Sequence, residues 1–301
     1  MSTPAEPVQT GPLARVNLIL GMIKFSHTLF ALPFAVLGGL LASNLYGVWI
    51  FRPLDWAGIL ACMITARSAA MSFNRLVDRD IDALNPRTAT RHLPAGSLTP
   101  AEVARFTLVN SLLFVASTMV FLPRNPWPLI LALPVLGWLL GYSYAKRFTS
   151  LAHVWLGAAL ALAPVAAWIA IRASIAWPPI FLGLAVLTWV AGFDIIYACQ
   201  DEGFDRSAGL NSIPARLGTK RALQLAAFCH LLTIVFLILL GFAFPLGRIY
   251  GTGVALAALL LIVEHKLVRP DDLQHVNLAF FNVNIILSLG ILAFAALDLI
   301  F

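Results

Sequence analysis

Residues 178–205, PPIFLGLAVLTWVAGFDIIYACQDEGFD, run apolar to residue 200 with one charge, Asp194, and then close on Asp201, Glu202 and Asp205. The run is long enough for a helix to cross a bilayer, and it is continuous where a barrel strand would alternate. In lipid only a helix or a closed barrel satisfies its own backbone hydrogen bonds, so the stretch reads as a membrane helix ending in acids. Eight further apolar runs repeat the pattern, at about 18–43, 55–79, 103–122, 126–145, 152–171, 221–241, 248–265 and 277–300. The sequence therefore predicts an all-α fold, a polytopic membrane bundle of about nine transmembrane helices. The composition agrees: 60% of the 301 residues are hydrophobic and only 11% charged, where soluble domains carry about a quarter charged. Residues 1–17 read as a polar N-terminal tail, disordered at its Pro-containing start, and 18–301 as one transmembrane domain. The first run is too long for a signal-peptide core and reads as a retained helix. Cys62, Cys199 and Cys229 lie in apolar runs without metal-type spacing and read as packing residues.

The charges choose a sidedness. With the N-terminus in the cytoplasm, fourteen of the 20 Lys and Arg fall on inside connections and four on outside ones, leaving Lys24 and Arg67 within spans. The positive-inside rule then fixes the orientation in an inner (cytoplasmic) membrane. The formal charge of +6 is mostly this topology signal; with no soluble basic domain, a nucleic-acid partner is not supported. Two inside loops, about 83–99 and 206–219, are long and polar, which places function on the cytoplasmic face. Thr99-Pro100-Ala101-Glu102 reads as a capping box that starts the third helix.

Seven of the fourteen carboxylates stand in two short stretches at the inside ends of spans two and six. In FNRLVDRDIDALNPRT, residues 73–88, Asn74, Asp78 and Asp82 are spaced i, i+4, i+8 and share an arc of about 80° on a helix. Asp80 points elsewhere and pairs with Arg79. In the second stretch Tyr197, Asp201 and Asp205 repeat the spacing, with Asp194 extending the same face deeper. The two ladders are offset by 123 residues throughout, which suggests an internal repeat with a site between the halves. Acids so crowded repel and are costly inside a membrane, so a cation must compensate. Sparse hard oxygen ligands suit Mg²⁺, which bridges one or two carboxylates to phosphate. Arg67, Arg87, Arg91, Lys146 and Arg147 supply donors for the remaining phosphate oxygens, and metal with basic rim together indicate a diphosphate. A proton-coupled transporter with buried acids is the competing reading. His27 and His153 read as packing or capping residues and take no role.

At these residues the chain resembles the UbiA superfamily of intramembrane aromatic prenyltransferases. The NxxxDxxxD motif stands as Asn74, Asp78 and Asp82, followed by NPRT; a YxxxDxxxD motif stands as Tyr197, Asp201 and Asp205. KFSHTLFALPF (24–34), YSYAKRFTSLAH (142–153) and YACQDEGFDRSAGLNSIPARLG (197–218) extend the likeness over nearly the whole chain. The resemblance implies Mg²⁺-dependent transfer of a polyprenyl group from an allylic polyprenyl diphosphate to an aromatic acid. The subgroup it suggests acts on 4-hydroxybenzoate in quinone biosynthesis; a naphthoate acceptor in menaquinone biosynthesis, a tetrapyrrole or a glycerol-phosphate lipid are the alternatives. It further implies metal binding by Asn74, Asp78, Asp82, Asp201 and Asp205. Arg147 is expected on the acceptor carboxylate, aromatic faces such as Phe73 or Tyr197 beside the allylic cation, and Asp194 or Asp201 at the acceptor's proton.

Overall fold

The computed structural model describes residues 12–23, 28–45, 47–274, 276 and 279–301. Lys24 and His27 lie outside them, as does most of the tail. The described chain is almost wholly helical. Helix α1 (Pro12–Met22) and α2 (Thr28–Ser43) precede a two-residue hairpin, β1 (Asn44–Leu45) and β2 (Val48–Trp49), paired antiparallel. Then follow α3 (Pro53–Leu84), α4 (Pro100–Thr118), α5 (Trp127–Gly141), the short α6 (Ala145–Phe148), α7 (Ala152–Arg172) and α8 (Trp177–Ala198). The chain closes with two short helices, α9 (Glu202–Ser207) and α10 (Ile213–Leu217), and three long ones, α11 (Thr219–Ala243), α12 (Arg248–Leu267) and α13 (Asn284–Ile300).

Eight of these segments are long and apolar enough to cross a membrane, and Ala31–Ser43 is a shorter apolar one. The molecule is a multi-pass membrane protein, and the difference from nine equal spans lies in the first run. The run expected as a single helix over 18–43 is divided between α1 and α2, and α1 begins at Pro12, inside the stretch read as tail. The predicted capping box is present: the Thr99 hydroxyl accepts from the Glu102 N–H, and the Glu102 carboxylate accepts from the Thr99 N–H at 2.8 Å.

Helix α8 is the axis of the bundle. Its span is 67% buried against 17–39% for the others, because it packs between α7 and α11 and is apolar on every side. Close approach depends on residues without side chains. A Cβ on Gly157 of α7 would lie 2.3 Å from the Leu187 carbonyl oxygen of α8, and one on Gly38 of α2 would lie 2.5 Å from that of Pro164. Lipid offers no hydrophobic drive between helices, so such contacts and interhelical hydrogen bonds hold the bundle. Trp189 Nε1 donates to Asn284 Oδ1 at 2.6 Å, and the hydroxyls of Thr188 and Thr233 meet at 3.0 Å. This packing brings the ends of α3 and α8 to one end of the bundle, beside residues 85–99 and α6.

Candidate active site

Helix α3 continues through the first acidic motif without a break, so Asn74, Asp78 and Asp82 keep the predicted single face. Arg67, half-buried, stands seven residues earlier on that face, about 10 Å deeper along the helix. The second motif departs from the prediction. Regular α-helix stops at Ala198, a tighter turn covers Cys199–Asp201, and α9 resumes at Glu202. Turns with i to i+3 bonding are common where a helix ends, and here Asp201 is drawn to residues 85–87, away from a regular helical path. The two motifs are therefore equivalent in spacing and not in backbone.

Each of the four aspartates has its own cation. Arg147 Nη2 lies 3.5 Å from Asp78 Oδ1 and donates to the Val77 carbonyl at 2.6 Å. Arg91 Nη1 donates to both oxygens of Asp82, at 2.7 and 2.8 Å. Arg87 grips Asp201 through Nε at 2.8 Å and through Nη2, while its Nη1 donates to the Tyr197 hydroxyl at 2.8 Å. Lys146 Nζ stands 3.7 Å from Asp205 Oδ2. Burial opposes the charge on Arg87, but the Asp201 carboxylate and Tyr197 outweigh it and raise the guanidinium's pKa. Asp82, Asp201 and Asp205 are buried; Asp78 is half-buried. Four negative charges are thus matched one to one by Arg87, Arg91, Lys146 and Arg147, four of the five basic residues singled out in the sequence.

Aromatic rings stand among these pairs. The Arg87 guanidinium lies over the Tyr197 ring, 5.0 Å from its centre, and that of Arg147 over Tyr144 at 5.4 Å. Phe73 meets Tyr144 edge-on at 6.0 Å. Faces that hold guanidinium are faces that hold positive charge. Asp80, as expected, is fully outside this set and pairs with Arg79 at 3.0 Å.

Two participants were not singled out in the sequence. Asn85 caps α3, its backbone N–H donating to the Ile81 carbonyl at 3.3 Å; its Nδ2 donates to Asp201 Oδ1 at 3.1 Å, and its Oδ1 accepts from the Arg87 N–H at 3.0 Å. The Asn-Pro step before Arg87 was the available signal, since it marks a turn. His153, read as packing, has its Nδ1 2.7 Å from Asp194 Oδ2. No local pattern announces that contact, because 41 residues separate the partners. The expected loop 206–219 is largely pinned: Leu210 N–H donates to the Asp205 carbonyl at 2.8 Å and Asn211 N–H to that of Lys146 at 2.7 Å.

Among the described residues no three His, Cys, Asp or Glu side chains gather closely enough to hold a metal by themselves. The arrangement is a lattice of paired charges at the end of an apolar bundle, with the buried Arg75 of α3 also close to its acids. It suits a polar, multiply charged group whose apolar remainder lies among the helices.

Comparison with known proteins names this arrangement. Residues 31–286 match the model of the UbiA prenyltransferase family. The chain is 30% identical over 229 residues, 75% of its length and 79% of the relative's, to the 4-hydroxybenzoate octaprenyltransferase of Vibrio campbellii. In structure it is similar to a UbiA homologue from Aeropyrum pernix K1, with a TM-score of 0.80, 34% identity and coverage of 91% of this chain and 98% of the other. It also shares the fold of a UbiA homologue from Archaeoglobus fulgidus bound to GPP and Mg²⁺, with a TM-score of 0.67, 20% identity and coverage of 94% and 100%. With its match over most of its length, the chain belongs to the UbiA prenyltransferase family.

Proposed function

We propose that the protein transfers a polyprenyl group from an allylic polyprenyl diphosphate to the ring of an aromatic acid, 4-hydroxybenzoate, in quinone biosynthesis. The observation that carries this reading is the one-to-one matching of Asp78, Asp82, Asp201 and Asp205 with Arg147, Arg91, Arg87 and Lys146 at one end of the bundle. A diphosphate arriving with divalent metal carries both partners these groups want: anionic oxygens for the bases and cationic charge for the acids. The relatives named 4-hydroxybenzoate octaprenyltransferase support the acceptor.

The residues fit Mg²⁺. The donors are hard oxygens without thiolate or imidazole, and Asp205 Oδ2 is buried without a hydrogen-bond partner. Asp78, Asp82, Asp201 and Asp205, with the amide oxygen of Asn74, would hold the metal. Their scatter suits an ion that needs phosphate oxygens to complete its shell. When bound, Mg²⁺ supplies Lewis-acid stabilisation of the departing diphosphate.

The chain's own groups do the rest. Arg87, Arg91, Lys146 and Arg147 bind the diphosphate oxygens once the acids have other partners, and Arg67 waits deeper on the same face. The allylic C–O bond breaks with its electron pair passing to the diphosphate. The faces of Tyr197, Tyr144 and Phe73 stabilise the cation that remains, and the apolar bundle excludes the water that would capture it. A ring carbon ortho to the acceptor's hydroxyl forms the new C–C bond and then gives up its proton to the diphosphate released in the first step. Asp194 stands closest to the role of drawing on that hydroxyl, because Asp201 would be engaged with the metal and with Asn85.

The site lies at the cytoplasmic face of the inner membrane in this reading, supported by the basic residues that crowd the same helix ends. Incubation of the purified protein with a polyprenyl diphosphate, 4-hydroxybenzoate and Mg²⁺ should yield the 3-polyprenyl acid by mass spectrometry. Asp78→Asn and Asp201→Asn should each lower turnover by about a hundredfold or more, in the range of losing an electrostatic contact to the reacting group. Undiminished turnover in both variants would overturn the site. Product formed on a naphthoate and not on 4-hydroxybenzoate would overturn the acceptor alone.

A further inference from the structure

We infer that His153 is a positioning residue that aims Asp194 at the hydroxyl of the aromatic acceptor; this rests on the proposed prenyl transfer. His153 is fully buried at the start of α7, where an apolar side chain would meet no polar cost. Both of its ring nitrogens are engaged. Nε2 accepts from the Ile213 N–H at 3.4 Å, which leaves the ring hydrogen on Nδ1 to be donated to Asp194 Oδ2 at 2.7 Å. One imidazole thus joins the deepest acid of α8 to the segment that follows Asp205.

The consequence is directional. Asp194 Oδ2 is occupied, and the side chain keeps 17% exposure, so the carboxylate is held by one oxygen and presents the other. It lies one helical turn before Tyr197 on α8. A hydroxyl donated to that second oxygen gains electron density at the ring's ortho carbon, which is the carbon that attacks. Asp201 cannot substitute, because in the proposed reading it would hold the metal, with Asn85 Nδ2 donating to its Oδ1. The same imidazole, through Ile213, holds the segment beside Lys146, to whose carbonyl Asn211 N–H donates at 2.7 Å. Aim and placement are therefore joined in one side chain.

Amide substitutions separate the two ring nitrogens. The amide of Asn reaches the place of Nδ1, and that of Gln the place of Nε2. Purified full-length His153→Asn, His153→Gln, His153→Ala and Asp194→Asn would be compared by kcat and KM for each substrate. Binding of Mg²⁺ with an unreactive thiolo analogue of the prenyl diphosphate would be followed by calorimetry. The Ala and Gln variants and Asp194→Asn should lose about tenfold to a hundredfold in kcat, with KM for the diphosphate and analogue binding within about twofold of the parent. His153→Asn should return to within about threefold of the parent, and His153→Ala combined with Asp194→Asn should be no worse than the poorer single variant. Equal losses in the Asn, Gln and Ala variants, or loss of analogue binding along with kcat, would overturn the inference and leave His153 a packing residue. A parent protein that prenylates no aromatic acid would instead overturn the reading on which the inference rests.

Discussion

At Arg87 the competition between internal base and incoming metal is most direct. Its guanidinium makes two contacts with Asp201 and one with Tyr197, and two unit charges about 4 Å apart near a protein surface interact by about 4 kcal/mol. Divalent metal arriving alone must displace that base, whereas metal arriving with diphosphate offers the base a new partner. Arg87→Ala should therefore bind Mg²⁺ more tightly than the parent when no diphosphate is present, by about tenfold, and bind the Mg²⁺-diphosphate pair more weakly. Calorimetric titration with and without a prenyl diphosphate analogue checks both signs. Equal or weaker Mg²⁺ binding by the variant would mean that the guanidinium is not the metal's competitor. The aspartates and Arg87, Arg91, Lys146 and Arg147 were legible in the sequence, because acids and bases in an apolar chain are rare enough to carry meaning individually. Which base meets which acid was not. Arg147, expected on the acceptor's carboxylate, here contacts Asp78 and the Val77 carbonyl of α3, and Asn85 and His153 act across distances that no local pattern encodes.

Between elements, contact is decided by the absence of atoms. Gly157 faces the backbone of α8, and an added Cβ would meet the Leu187 carbonyl oxygen at 2.3 Å and its carbon at 3.1 Å. Backbone cannot turn aside as a flexible side chain does, so Gly157→Ala should separate α7 from α8 and cost about 1–3 kcal/mol. Gly137 in α5 has no atom within 4 Å of its would-be Cβ. Gly137→Ala should leave stability unchanged or raise it by up to about 1 kcal/mol, as Ala is the better helix former. Melting followed by tryptophan fluorescence distinguishes the two, and equal behaviour would refute the close-approach argument. Spans two to nine were legible to within a few residues because a membrane demands long apolar helices. The first run was not, since apolar length alone does not show that α1 and α2 are separate helices. The tight turn at Cys199–Asp201 was equally hidden, because it answers to Asp201's partners on residues 85–87 and not to its own sequence.

For the whole molecule, these contacts imply that the ligand ties together parts that the protein alone joins by ion pairs and a few hydrogen bonds. The acids hang from α3, the turn at Cys199–Asp201 and α9, while the bases stand on residues 87–91 and α6, so a diphosphate with metal bridges all of them at once. The apolar core lies elsewhere, around Trp189, Leu182 and Leu237 among α2, α7, α8, α11, α12 and α13, and owes nothing to metal. A chelator should therefore abolish turnover without lowering the melting temperature. Mg²⁺ alone should shift it little, because each carboxylate already has a cation. Mg²⁺ together with a thiolo analogue of a prenyl diphosphate, at about 100 times its Kd, should stabilise the fold by about 2.7 kcal/mol. For a chain of this size that corresponds to a rise of about 4 °C. A full shift with Mg²⁺ alone would show that the acids gather a metal unaided. A fall on chelation would show that metal is part of the fold. A shift with the analogue in chelator, equal to that with metal, would assign diphosphate binding to the bases alone and remove the acids from it.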